Sequence, residues 1–166
     1  GKSIRFKESE VREMGRASMG VRGIRIRGED KVKEMDVIKN AKTSKLLVIM
    51  ENGLGKSSPI TSYRLQSRGG TGVKTANITA KTGLLIGAKV MTEDAKGDLL
   101  LMSKKGQVIR MSLKAIPSQG RATQGVYMMR LHEDFIVASV SVTGEELEET
   151  LETEAQQEKI AAPALL

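Results

Sequence analysis

Hydrophobic positions along this chain come in short runs cut by glycine, lysine and asparagine. The segments "KLLVIMENG" (45–53), "LLIGAKVM" (84–91), "DLLLMSKKG" (98–106) and "FIVASVSV" (135–142) are continuous apolar stretches, and "VKEMDVI" (32–38) is a weaker one. Two others, "GKSIRF" (1–6) and "GQVIRMSL" (106–113), alternate apolar with polar or basic residues, as half-buried strands do. All have the length of strands, roughly four to seven residues, and the residues between them are turn formers. Before Thr143 no segment keeps a helical apolar period for more than about two turns. The pattern predicts an all-β protein.

The runs recur at a fixed spacing. Setting "MGRASMGVRGI" (14–24) above "QSRGGTGVKTA" (66–76) and "QGRATQGVYMM" (119–129) puts Arg16, Arg68 and Arg121 in one column. The pairs Gly20-Val21, Gly72-Val73 and Gly125-Val126 share another, at offsets of 52 and 53 residues. Val11, Tyr63 and Ile116 coincide at the same offsets, as do Gly1, Gly53 and Gly106. A repeat of roughly 50 residues containing about four strands fits a propeller blade. The units divide as 1–52, 53–105 and 106–144, followed by a tail at 145–166. Three units are fewer than the four to eight blades a propeller needs to close, so further blades are expected on the N-terminal side.

Composition separates the repeats from the tail. The chain holds 27 Lys and Arg against 20 Asp and Glu, a net charge of +7. Residues 1–144 carry +13 of this and residues 145–166 carry −6. A body that basic points to a polyanion. The tail has Leu147 and Leu151 four apart, yet two leucines cannot offset the ordering entropy of so charged a segment, and it is expected to be largely disordered. Its charge is expected to compete with a polyanion for the basic body. With only four aromatic residues, Phe6, Tyr63, Tyr127 and Phe135, the chain lacks the stacking platforms of single-strand binders, so a duplex held by its backbone is expected. The absence of cysteine excludes disulfides and thiolate zinc sites, and no run reaches the length of a membrane-spanning helix.

Each unit carries an arginine, then small residues, then Gly-Val leading into a strand. Glycines there allow positive φ and expose successive amide N–H groups, while the guanidinium can bind phosphate in bidentate fashion. Three such loops in register would form a track along a rim, matched to the regular charge spacing of a duplex. The residues expected to hold DNA are Arg12, Arg16, Arg22, Lys56, Arg64, Gln66, Arg68, Gly69, Gly70, Gly72, Lys74, Lys104, Lys105, Arg110 and Arg121, with Arg25 and Arg130 nearby. No recognition helix is visible, so binding is expected to be sequence-tolerant and salt-sensitive.

Other motifs fail on their own chemistry. "GLGKSS" (53–58) resembles the end of a phosphate-binding loop, but Met50 stands where its first glycine belongs and no helix follows, so it reads as a turn. His132 is the only histidine and "HEDF" has no second zinc ligand. No Ser-His-Asp set or carboxylate pair can be assembled, and no catalysis is expected of this chain. The nine methionines are expected to fill cores between blades.

"GRASMGVRGI" and "GRATQGVYMM", with the acidic tail, resemble the C-terminal domain of the DNA gyrase A protein over nearly the whole chain. That resemblance implies a six-bladed β-pinwheel, a propeller-like ring whose blades exchange hairpins and whose basic perimeter wraps duplex DNA. The family's box reads Gln-(Arg/Lys)-Arg-Gly-Gly-Lys-Gly. "QSRGGTG" keeps Gln66, Arg68, Gly69, Gly70 and Gly72 but has Ser67 and Thr71 at the other basic positions. Counted back from the acidic end, the units correspond to blades four, five and six, making "QSRGGTG" a fifth-blade relative of the box. The resemblance also implies work within an A2B2 holoenzyme, together with the rest of the gyrase A protein and with the gyrase B protein. That assembly is an ATP-dependent type IIA topoisomerase of the bacterial cytoplasm that introduces negative supercoils. No cofactor is expected in this chain, since ATP and Mg belong to other parts of that assembly, and no membrane is involved. The alternatives are the equivalent domain of topoisomerase IV, which selects DNA crossings, and a propeller-type protein-interaction scaffold. Scarce aromatics and the basic body weigh against the scaffold.

Overall fold

The computed structural model describes residues 1–131 and 137–143; the tail at 145–166 and His132 lie outside the described residues. Among the described residues nine strands form three antiparallel sheets, and no α-helix occurs. The continuous apolar run at 44–50 becomes β2 (Ser44–Met50), whose Leu47, Val48, Ile49 and Met50 are all 0% exposed. A strand buried on both faces has no reason to alternate, which is why this one reads as an unbroken run. It turns at Gly53 (φ +77) into β3 (Leu54–Pro59), pairing Lys45 with Pro59 through Ile49 with Gly55. On its other side β2 takes β5 (Leu85–Thr92), from Ser44↔Thr92 to Met50↔Leu85.

The same plan recurs one unit later. Strands β6 (Asp98–Ser103) and β7 (Val108–Ser112) form a hairpin, and β9 (Val137–Thr143) lies along the other edge of β6. Leu47 and Ile49 of β2 meet Leu99 and Leu101 of β6 in one core, closed by Leu113, Ile116, Met128, Met129 and Val137. A smaller cluster unites Met50, Leu54 and Ala76, with Ile78 packed against it. Methionines thus sit in the core at 50, 128 and 129, but Met19 and Met35 are fully or largely exposed.

The sheets are built out of phase with the sequence units, because two of them borrow a strand from the next unit. β8 (Val126–Tyr127), which contains the valine of the third Gly-Val pair, leaves its own unit and pairs with β3: Leu54↔Tyr127 and Gly55↔Val126. β4 (Val73–Lys74) does the same to β1 (Lys2–Ser3) one unit earlier. The middle sheet is therefore ordered β5-β2-β3-β8, with four strands.

Two expectations fail here. "GLGKSS" is no turn: Leu54 to Ser58 run through the middle of a sheet, buried at every position. Its polar residues misdirect the reading, because a neighbouring loop supplies the partners that let them be buried. "VKEMDVI" (32–38) forms no strand. Its counterparts β5 and β9 each lie against the first strand of a hairpin, whereas no described strand pairs with 32–38. Asp36 instead accepts a hydrogen bond from the Val90 amide at the outer edge of β5.

Candidate nucleic-acid interface

The second and third Gly-Arg loops are clasps between units, and most of their backbone bonds repeat. Gln66 N donates to Arg5 O, and its counterpart Gln119 N to Ser57 O, both at 2.8 Å. The amides of Thr75 and Ala76 converge on Gly1 O, as those of Met128 and Met129 do on Gly53 O. Arg25 N reaches Gly70 O, and Asn77 N reaches Thr123 O. The glycine of each Gly-Val pair has positive φ: +78 at Gly20, +70 at Gly72 and +82 at Gly125. A Cβ at Gly72 would lie 2.4 Å from Ser3 O, and one at Gly125 would lie 2.5 Å from Gly55 O. Only glycine lets the borrowed strand cross so close to the unit before it.

The column arginines are part of these clasps. Arg68 Nη1 donates to Arg22 O at 2.8 Å and its Nε to Glu10 O at 3.2 Å. Arg121 Nη1 donates to Lys74 O at 2.7 Å, the same bond one unit on. A guanidinium has five donors, so each retains others for a ligand. Both side chains are half-buried, while Arg16 is exposed.

Lys56 corrects the expectation of a direct contact. It is 0% exposed, and its Nζ donates to Gly120 O and Arg121 O at 2.7 Å each and to Thr123 Oγ1 at 3.1 Å. No carboxylate among the described residues pairs with it. Burial, and then the Arg121 guanidinium, push its ammonium from 10.5 down to about 8. Beside it, Ser57 Oγ donates to Pro117 O and Ser58 Oγ to Gln119 O, so the polar half of β3 is satisfied by the third loop. Tyr63 shares a 2.7 Å hydrogen bond with Thr75 Oγ1, and burial raises its pKa.

Of the other expected residues, Arg12, Arg22, Arg64, Lys74, Lys104, Lys105 and Arg110 are exposed. Arg110 forms an ion pair with Asp98, and Lys74 Nζ donates to Asn77 Oδ1 at 2.6 Å. Gln66, Gly69, Gly70 and Gly72 lie half-buried within the second loop. The loops bring Arg22 and Arg68 together at one junction and Lys74, Lys56 and Arg121 at the next. Sequence reasoning missed Glu10, whose carboxylate Oε2 accepts from Arg68 N at 2.8 Å. It also missed the structural role of Lys56, although the signal is present: its column reads Ile4, Lys56, Ile109. Apolar counterparts at both matching positions mark this lysine's position as inward-facing. Among the described residues no cluster suits a metal, and no helix is long and apolar enough to cross a membrane.

Comparison with known proteins places this geometry. A family model described as "DNA gyrase C-terminal domain, beta-propeller" matches residues 1–39, 44–90 and 97–143. The DNA gyrase A protein of Staphylococcus aureus strain MRSA252 is 40% identical over 151 residues, which cover 91% of this chain and 17% of that protein. The same protein of strain NCTC 8325 is 39% identical over 153 residues, 92% of this chain and again 17% of the relative. A solved DNA gyrase A C-terminal domain superposes with TM-score 0.74 at 28% identity, covering 86% of this chain and 47% of that one. The C-terminal domain of DNA topoisomerase IV gives TM-score 0.81 at 22% identity, covering 93% and 49%, a likeness of fold. The chain thus spans about half of each solved domain and a sixth of the full-length gyrase A proteins.

Proposed function

We propose, from the premise that this chain belongs to the DNA gyrase C-terminal domain, beta-propeller family, that it binds duplex DNA along a basic rim and bends the duplex around it. The observation that carries this reading is the repetition of the clasp. Successive Gly-Arg loops present the same backbone in register, with exposed cations beside each: Arg12, Arg16 and Arg22 at the first, Arg64 and Lys74 at the second, Lys104 and Lys105 beyond. Repeated phosphate contacts need no base reading, so binding is sequence-tolerant. Strong curvature costs of order several kcal/mol, which many charge contacts can offset. In a gyrase holoenzyme, with the rest of the A protein and with the B protein, such a wrap gives the crossing a hand. ATP hydrolysed elsewhere in that assembly drives negative supercoiling in the bacterial nucleoid. The rest of the machine supplies the chemistry and this chain supplies the path.

The test is a salt titration of binding to a duplex of random sequence. Log affinity is expected to fall linearly with log salt, and replacing Arg12, Arg16 and Arg22 together by alanine should reduce the slope by about 2–3. No binding at low salt, or an unchanged slope, would contradict the reading.

One observation favours a second reading, the crossing-selecting domain of topoisomerase IV. Ser67 and Thr71 replace two basic positions of the box, so the second loop presents a single arginine, Arg68. Binding without any handed change in DNA linking would support that reading.

A further inference from the structure

The second and third loops share one backbone but differ in what fills their amides. In the second loop Arg68 N donates to the Glu10 carboxylate at 2.8 Å, and Gly69 N donates to Gly23 O at 2.7 Å. In the third loop the corresponding amides are Arg121 N and Ala122 N, and neither donates to an acceptor among the described residues. The counterpart of Glu10 there is Ser62, which has no carboxylate. Lys56 braces the two peptides that carry these amides. Its buried ammonium draws in the carbonyls of Gly120 and Arg121, 2.7 Å each. In a trans peptide the N–H lies opposite the C=O, and the chain has no cis bond. Two inward carbonyls therefore turn the N–H groups of Arg121 and Ala122 outward together, at a loop where Gly120, Ala122 and Thr123 are exposed. Consecutive outward amides make an anion-binding concavity.

We propose that the amides of Arg121 and Ala122, with the Arg121 guanidinium beside them, form a phosphate site braced from within by Lys56, and that Glu10 caps the equivalent Arg68 amide of the second loop. The internal carboxylate shows that this backbone position accepts an anionic oxygen. The two loops are thus unequal: the third is open to a phosphate of the duplex, while in the second Glu10 holds the Arg68 amide and Gly23 O holds the Gly69 amide. Lys56 is a positioning residue here, since a side chain with no exposed surface cannot touch the ligand. The assignment of DNA as the phosphate source rests on the function proposed above.

Backbone amide NMR with inorganic phosphate tests the site directly, and duplex binding tests its use. In the wild-type chain phosphate should shift Arg121 and Ala122 amides and leave Arg68 unmoved. Glu10→Ala should make Arg68 respond and raise the magnitude of the DNA salt slope by about 1; Lys56→Met should weaken the response at 121 and 122 and lower the slope by up to about 1. Ile4 and Ile109 occupy the same column, so an apolar side chain suits that core. Should Lys56→Met nevertheless unfold, Glu10→Ala decides alone. Wild-type amides at 121 and 122 that ignore phosphate, or an Arg68 amide that responds before Glu10 is removed, would overturn the proposal. Phosphate shifts as expected in a chain that does not bind duplex would sink the DNA reading and leave the site standing.

Discussion

Lys56 carries an ammonium group where its counterparts Ile4 and Ile109 are wholly apolar, and that group joins two units. It holds the turn at 120–123 against the middle of a sheet without a carboxylate, through two carbonyls and a hydroxyl. The cost of dehydration shows in its lowered pKa, and the Arg121 guanidinium adds to it. The consequence for stability has a definite sign. A folded value near 8 lies below the 10.5 of an unfolded lysine, so across that window the unfolded chain binds more protons and stability rises with pH. Denaturation across the same window should show this rise, and Lys56→Met should lose that part of it. An identical pH trend in both proteins would contradict the assignment. Tyr63, raised by burial, loses its proton above its ordinary range and feels the same guanidinium, so the comparison with the variant is what isolates Lys56. The identity of Lys56 as a buried group was legible in its column, but its partners were not. They belong to a loop about 65 residues on, brought there by a strand exchange that local pattern does not encode.

The strands show the same division between what pattern reveals and what it hides. The apolar runs at β2, β5 and β6 were legible because their burial is hydrophobic, and the Gly-Val pairs were legible because the exchange demands glycine. Strand β3 was hidden because its buried side chains are Lys56, Ser57 and Ser58, satisfied from another unit. The segment at 32–38 misled in the opposite direction, because a suitable composition forms no strand without a paired edge. The exchange can be tested at its tightest point. Gly125→Ala would bring a Cβ within 2.5 Å of Gly55 O at a φ of +82, so it carries both backbone strain and a main-chain clash. Gly106→Ala, at φ +84, meets nothing within 4 Å and carries the strain alone, about 1 kcal/mol. The first substitution should therefore cost at least about 1–2 kcal/mol more than the second in denaturant melts. Equal losses would mean that β8 is not held against β3 as described.

At the scale of the molecule, the clasps join the repeated units into one array that carries a net +13 over residues 1–144. The architecture was legible from period and charge, and so was the expectation of a polyanion. Which cations are exposed was not, because the same loop chemistry serves cohesion and display. Arg68 and Arg121 brace neighbouring backbone, Lys56 lies inside, and Arg12, Arg16 and Arg22 remain outside. The central claim is that the exposed set wraps duplex DNA with a defined hand. The measurement that tests it most directly is ligation of a nicked plasmid with increasing amounts of the chain bound, followed by deproteinisation and resolution of the topoisomers. The account predicts a shift toward positive linking number that grows with bound protein. Saturating binding with an unshifted distribution would contradict it.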